Sequence, residues 1–256
     1  MRGEAATTAG WPDLVDELDR WGEAGRAASL WWRDDDAVAA TPQLGDLLRL
    51  AGGTPIAIAV IPAHARPDLA DALAGAAQVA VLQHGWQHAN HAGGGKKCEY
   101  PSDRPEAVVG AEIEAGRDRL NRLFGPRVLP VFVPPWNRIG GEILPQLREH
   151  GIAGLSTIAS RQRATLPAGL VAIDVHVDVV AWRGNREFIG AAAALARLVG
   201  HLRAERVALG GLPRPVGILT HHLIMDRATA AFLDRLIALI GAHGAARWAT
   251  VAEWVQ

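Results

Sequence analysis

Short apolar runs alternate along the chain with longer segments whose apolar residues recur at helical spacing. The runs predict strands over Ser29–Arg33, Pro55–Ile61, Val79–Gln83, Val128–Val133, Ile152–Thr157, Leu170–Asp178 and Val216–Thr220, with a last short one over Arg247–Val251. The segments between them predict helices over Pro12–Ala24, Pro42–Leu50, Pro67–Ala76, Pro105–Leu123, Gly141–His150, Phe188–Glu205 and Asp226–His243. Several begin at Pro or an acidic residue and end near Gly, as helix caps require.

This alternation of strand and helix predicts an α/β fold with a parallel sheet and helices packed outside it. The strand runs are almost continuously apolar, which is typical of strands buried on both faces. Seven or eight such units favour a closed or distorted (β/α) barrel, with an open doubly wound sheet as the main alternative. No composition break marks a linker, so we expect a single domain over residues 1–256.

Composition and charge exclude several classes of protein. The formal net charge of −1 and the scattered arginines argue against a nucleic-acid partner. A single cysteine excludes an internal disulfide framework and a cysteine-rich zinc module. No apolar run is long enough for a membrane span or a signal peptide, so we expect a cytoplasmic protein. The sequence gives no indication of the number of copies in the assembly.

Unusual polar residues cluster where predicted strands end. Carboxyl ends of parallel strands meet at one edge of the fold, where α/β proteins place their sites. These residues are Arg33 to Asp36 after the first strand, His84 to His88 after the third, Pro134 to Arg138 after the fourth, Asp178 and Trp182 at the sixth, and His221 with His222 after the seventh. The pattern predicts one site built from five strand ends.

Three adjacent carboxylates, Asp34 to Asp36, repel one another unless a cation lies near. A solvated loop or a helix N-cap would also explain them. Their position directly after a buried strand favours a site in which a metal ion removes the repulsion and a spare carboxylate acts as a base.

His84 and His88 are four residues apart, which on a helical turn would place both imidazoles on one face. With an Asp from another strand end they form an Asp-His-His set with open positions for water and substrate. Such ligands suit zinc, while cobalt, nickel or iron would also fit. An inward-pointing His221 or His222 opposite the metal would be a natural general acid.

Taken together, these motifs resemble those of the polysaccharide deacetylase superfamily, also called carbohydrate esterase family 4 or NodB-like. The first family motif, TFDDG, is similar to RDDDA at 33–37, and the second, HSxxH or HTxxH, to HGWQH at 84–88. The third, RxPYG, is similar to VPPWN at 133–137, and the fifth, LxH, to Leu219-Thr220-His221. Asp178 and Trp182 stand where the fourth motif has an Asp and a Trp. The sequences HGWQH and PPWN resemble those of a divergent branch of this superfamily.

The resemblance implies a distorted (β/α)7 barrel that removes an acetyl or other N-acyl group from an amino sugar or related carbohydrate. It implies a divalent metal, usually zinc, held by Asp36, His84 and His88. It further implies Asp35 as the base that activates water and His221 as the acid that protonates the departing amine. Trp136, Asn137, Asp178 and Trp182 are then the expected substrate contacts, and no other cofactor is expected.

Two departures from the family pattern leave alternatives open. The metal and base pair could be Asp34-Asp35 instead of Asp35-Asp36, although Asp35-Asp36 keeps Arg33 two residues ahead. Val133 stands where the family has the Arg that orients the base, and Arg33 or Arg138 could replace that group.

Two other functions remain open from the sequence alone. A glycoside hydrolase could use Asp35 and Asp178 as its carboxylate pair. A non-catalytic descendant could bind a carbohydrate or a partner.

Overall fold

The computed structural model describes residues 8–159, 165–208 and 214–255. Strands and helices alternate through these ranges. The strands are β1 (Ala28–Ala37), β2 (Ile56–Val60), β3 (Val79–His84), β4 (Val128–Val133), β5 (Gly154–Leu155), β6 (Val171–Ala172), β7 (Val175–Asp178), β8 (Val216–Thr220) and β9 (Ala246–Trp248). The α-helices are α1 (Trp11–Glu23), α2 (Pro42–Ala51), α3 (Pro67–Ala74), α4 (Glu106–Phe124), α5 (Leu144–Glu149), α6 (Ala191–Val207) and α7 (Arg227–Ala242).

The strands form one curled parallel sheet in the order β6-β5-β4-β3-β2-β1-β8-β7, and β9 pairs with the start of β1. The chain after β5 also bonds to β7, since the Val175 N–H donates to the carbonyl of Thr157 at 2.9 Å. These bonds bring the two ends of the strand path together. The predicted distorted (β/α) barrel is therefore confirmed, and the open doubly wound alternative is wrong.

The first strand is longer than the sequence predicted. We expected it to end at Arg33 with the acids in a loop, but β1 continues through all three carboxylates to Ala37. Asp34 pairs in register with Ile58 of β2 on one side and with Thr220 of β8 on the other. The neighbouring strands thus keep the acidic segment extended.

Other boundaries also differ from the expectation. The strand predicted over Leu170–Asp178 is divided into β6 and β7, because the Asp174 side chain accepts bonds from the N–H and hydroxyl of Thr157 and so competes with the strand ladder. The last predicted strand, Arg247–Val251, is present as β9 but ends earlier, at Trp248, and a short 3₁₀ turn over Val251–Trp254, capped by Thr250 and Glu253, follows it.

The apolar residues form two main layers, one on each side of the sheet. Trp32 belongs to the large cluster between the sheet and the outer helices, whereas Trp31 belongs to the cluster inside the barrel. This alternation follows from the two-residue period of a strand. It places Arg33 and Asp35 on the same side as Trp31, facing the interior.

The predicted helices are present, and capping side chains define where two of them begin. The Thr41 hydroxyl accepts a bond from the Leu44 N–H at the start of α2, and the Asp226 carboxylate caps α7 through the Thr229 N–H. In the described part of the chain, no helix combines the length and the hydrophobicity that crossing a membrane requires.

A buried ion pair joins β1 to the segment after β8. His222 Nδ1 lies 2.5 Å from one oxygen of Asp34, and the Thr220 hydroxyl donates to the other oxygen at 2.6 Å. Burial lowers the pKa of His222, but the hydrogen bond and charge of Asp34 outweigh that effect and raise it. Both side chains are almost fully buried, so neither can exchange its partner for water.

We predict that His222→Ala lowers the free energy of unfolding by about 3–5 kcal/mol, because it leaves the Asp34 carboxylate buried without its partner. Urea denaturation checks this value. The matched control is His243→Ala, which removes a His–Asp pair whose Asp19 is mostly exposed and is expected to cost less than about 1 kcal/mol. Equal losses in the two variants would contradict the prediction.

Candidate active site

A cavity of about 460 Å³ opens at the carboxyl edge of the sheet. This volume lies within the usual range for small-molecule sites. All nine side chains that the sequence predicted as catalytic, metal-binding or substrate-binding line it: Asp35, Asp36, His84, His88, Trp136, Asn137, Asp178, Trp182 and His221. Arg138, Ile158 and Arg186 also contribute to its wall.

Asp36, His84 and His88 converge at one point of this cavity. Asp36 Oδ1 lies 3.1 Å from His84 Nε2 and 3.5 Å from His88 Nε2. Donor atoms bonded to a tetrahedral ion at about 2.0–2.2 Å lie roughly 3.4 Å from one another. Within the described residues, this is the one group of three or more ligating side chains close enough to hold a metal ion.

The fixed orientation of His84 supports such a set. His84 Nδ1 lies 2.9 Å from the Val133 carbonyl, which can only accept, so the ring proton sits on Nδ1 and Nε2 faces Asp36. Burial lowers the pKa of His84, but the charges of Asp35 and Asp36 and the bond to Asp36 raise it overall. Val133 thus contributes its carbonyl at a position where the resemblance implied an Arg side chain.

The pKa values of Asp36 and His88 depend on burial and on the charges of their neighbours. Burial raises the pKa of Asp36, yet the hydrogen bond to His84 and the charges of the surrounding histidines hold it well below its usual range. Burial and the charge of His84 lower the pKa of His88. Asp36 therefore stays ionised and His88 neutral near pH 7, as ligands to a cation require.

The expectation that a helical turn aligns His84 and His88 is wrong. His84 is the last residue of β3, and the chain then turns before it reaches His88. Gly85 has a φ angle of 58° and His88 one of 59°, so neither is helical. This irregular loop brings the ring centroids to 5.2 Å from each other. The spacing of four residues therefore predicted that the two rings lie close together, but through a geometry that the pair does not have.

Arg33 holds Asp35 from inside the barrel. Its Nε lies 2.9 Å from one oxygen of Asp35, and its Nη2 donates to the other at 2.9 Å. Nη2 also donates to Asn137 Oδ1, and Nη1 donates to the hydroxyl and carbonyl of Ser156. Of the two arginines considered as substitutes for the missing family Arg, the structure places Arg33 on Asp35, whereas Arg138 bonds to the Lys97 carbonyl.

The three carboxylates have three different surroundings. Asp34 faces His222 outside the barrel, and it is Asp36, not Asp34, that lies beside His84 and His88. Regular strand alternation would put Asp35 and Asp36 on opposite faces. Asp36 instead has a φ of 73°, and the pairing with β2 is irregular between Asp34 and Ala37, so both carboxylates face the cavity.

His221, Asp178 and Trp182 form the wall contributed by β7 and β8. The Trp182 indole N–H donates to Asp178 at 2.7 Å, and its ring meets the His221 ring edge-on at 4.8 Å. Burial raises the pKa of Asp178, although the N–H groups of Val180 and Trp182 and the charge of His221 partly oppose this. Nearly half of Trp182 is exposed, so it is a surface of the cavity and not a core residue.

The sequence left open which arginine holds Asp35, and it did not indicate Glu99, which holds the loop around His88. Arg33 is two residues from Asp35 on the same strand face, and this spacing was the signal for their contact. Glu99 is fully buried and accepts bonds from three backbone N–H groups of the loop that carries His88. It lies outside every motif, and no sequence signal pointed to it.

Comparison with solved structures shows the same fold in carbohydrate-modifying proteins. A proposed polysaccharide deacetylase from Mycobacterium smegmatis superposes with a TM-score of 0.68 at 18% identity, over 98% of this chain and 92% of that one. The Bc1960 peptidoglycan N-acetylglucosamine deacetylase gives 0.58 at 18% identity, over 90% and 89%. A family 4 acetyl xylan esterase from Clostridium thermocellum with a cobalt ion gives 0.55 at 12% identity, over 88% and 89%.

The fold also occurs without activity. BA3943 from Bacillus anthracis, a pseudoenzyme of carbohydrate esterase family 4, matches with a TM-score of 0.59 at 13% identity, over 90% of this chain and 66% of that one. No protein-family model and no curated protein matches the chain. The chain therefore has the fold of polysaccharide deacetylases with a strongly divergent sequence.

We predict that Arg33→Met lowers the free energy of unfolding by about 3–5 kcal/mol, because Asp35 is then buried without its counter-charge. Adding Asp35→Asn to that variant is expected to recover most of the loss, because no unpaired charge remains. Chemical denaturation of both variants and of Asp35→Asn alone gives the coupling energy of the pair. A coupling energy near zero would contradict the proposed contact.

Proposed function

We propose that this protein is a metal-dependent hydrolase that removes an acetyl or other N-acyl group from an amino sugar or related carbohydrate. One observation carries the proposal: an Asp-His-His set, an arginine-held aspartate and a histidine from separate strand ends face one cavity. A Lewis acid, a base and an acid around one reacting group can together catalyse acyl transfer to water.

The residues present fit a divalent metal ion. Asp36, His84 and His88 would hold it, and zinc is the ion we expect, with cobalt, nickel and iron as alternatives. When bound there, such an ion polarises an acyl carbonyl and lowers the pKa of water.

Asp35 is the proposed base. The double contact with Arg33 compensates its charge and fixes the plane of the carboxylate, while each oxygen keeps a lone pair for an incoming water. The base then takes a proton from the attacking water without having to rotate. Because Arg33 also bonds to Asn137 and Ser156, the position of Asp35 depends on three separate segments of the chain.

His221 is the proposed acid for the departing amine. Its ring lines the cavity, and its Nδ1 has no hydrogen-bond partner among the described residues. The edge-on contact with the Trp182 ring limits how far the imidazole can turn. Trp136 and Trp182 offer aromatic surfaces to a sugar ring, and Asn137 and Asp178 offer polar contacts beside them.

A carbohydrate-binding protein without activity is the second candidate. The fold match to a pseudoenzyme and the absence of the motif Arg at Val133 favour it. The arginine on Asp35 opposes it, because a chain without catalytic function has no need to hold a buried carboxylate toward the cavity. Cytoplasmic location and the absence of a nucleic-acid partner remain predictions from the sequence.

Purified protein is expected to contain about one divalent ion per chain after dialysis, and His88→Ala is expected to lose it. Elemental analysis of the two proteins side by side measures this. No metal in either protein after incubation with zinc or cobalt would exclude the proposed metal centre. That result would favour a glycoside hydrolase or a carbohydrate-binding protein instead.

Asp35→Asn is expected to keep the metal and lower acetate release by roughly 10²–10⁴-fold, because a proton acceptor is lost while the ligands stay. His221→Ala is expected to keep the metal and slow release of the amine by a similar factor. Acetate release from N-acetylated sugars, measured beside metal content, checks both. Full turnover in Asp35→Asn, or loss of metal from it, would contradict the assignment of base and ligand.

A further inference from the structure

Glu99 is buried beside the loop that carries His88, in a position that neither the motifs nor the proposed chemistry explains. Its side chain has no measurable exposure, and among the described residues no Lys, Arg or His forms an ion pair with it. Burying a carboxylate that forms no ion pair is costly unless other donors satisfy it. Its donors are instead backbone N–H groups of the loop.

The two carboxylate oxygens of Glu99 hold the loop on both sides of His88. Oε1 accepts from the N–H of Gln87 at 2.9 Å and from the N–H of Ala89 at 3.1 Å, and Oε2 accepts from Trp86 at 3.2 Å. The same oxygen therefore binds the residue before His88 and the residue after it. His88 itself has a φ of 59°, a conformation that a non-glycine residue keeps only when its surroundings enforce it.

The backbone of Glu99 is itself fixed. The carbonyl of Cys98 accepts from the His91 N–H, the carbonyl of Tyr100 accepts from the Gly140 N–H, and Arg104 donates to the Glu99 carbonyl. From the other side, Gln83 donates to the Gly85 carbonyl. Gly85 has a φ of 58°, and a Cβ there would overlap the Glu99 carboxylate and Pro135, so this position accommodates only glycine.

We propose that Glu99 is a positioning residue for the metal centre, which fixes the strained backbone around His88 so that His88 Nε2 meets Asp36 and His84. This inference rests on the metal site of the proposed function. Outer partners that orient a metal ligand typically change metal affinity by about 10–100-fold when they are removed.

The test is the affinity of the full-length protein for cobalt(II), measured by visible absorption in competition with a chelator. Glu99→Gln keeps the side-chain size but replaces one acceptor oxygen with a donor, which then faces a backbone N–H. We expect cobalt affinity to fall by about 10–100-fold, with an altered absorption band, because His88 no longer keeps its position. The matched control is Glu17→Gln, whose carboxylate is also buried but pairs with Arg206 of α6, away from the loop, and whose cobalt affinity should be unchanged.

Urea unfolding of the metal-free variants separates positioning from general stability. A folded Glu99→Gln that binds cobalt with wild-type affinity and spectrum would overturn the proposal, even if it unfolds more easily. If Glu99→Gln does not fold, Glu99→Asp takes its place, since it keeps the charge but is too short to reach all three N–H groups. A wild type without cobalt affinity would overturn the metal centre itself, whereas a wild type that binds cobalt but releases no acetate would leave this inference standing.

Discussion

The structure depends on how three consecutive carboxylates are accommodated inside a buried strand. Each has its own partner: Asp34 pairs with His222, Asp35 with Arg33, and Asp36 with His84 and His88. An unpaired carboxylate in this environment would destabilise the protein by several kcal/mol. The partners come from the segment after β8, from β1 itself, and from β3 with the loop that follows it, so neutralising the acids also connects the central strands of the barrel.

Within three residues, this arrangement separates a carboxylate that is buried in the sheet from two that reach the cavity. Asp34 lies on the outer face of the sheet and has no access to the cavity, whereas Asp35 and Asp36 line it. The separation needs a break in the strand, because regular alternation would turn Asp36 away. The positive φ of Asp36 supplies the break, and the bonds of Asp36 to histidine compensate the strain.

Backbone strain marks the whole cavity. Among the described residues, five other than glycine have positive φ angles, and all five line this one cavity: Asp36, His88, Trp136, Asn137 and Arg186. Such conformations cost about 1–3 kcal/mol each and persist where the surroundings enforce them. Arg33 at Asn137 and Glu99 around His88 are two of the groups that do so. The concentration of strain supports a functional role for the cavity independently of any motif.

The sequence by itself determined the fold class, the order of its elements and nine of the twelve residues that line the cavity. It could do so because strand alternation, helix caps and the common edge of parallel strands act through local spacing. The same spacing made Arg33 one of the two arginines considered as the partner of Asp35, and the structure chose between them. Tertiary structure alone decided that β1 runs through the acids, that an irregular loop and not a helical turn joins His84 to His88, and that Glu99 supports that loop. Those features depend on contacts between residues far apart in the chain and on backbone angles that only packed neighbours can enforce, and neither leaves a periodic trace in the sequence.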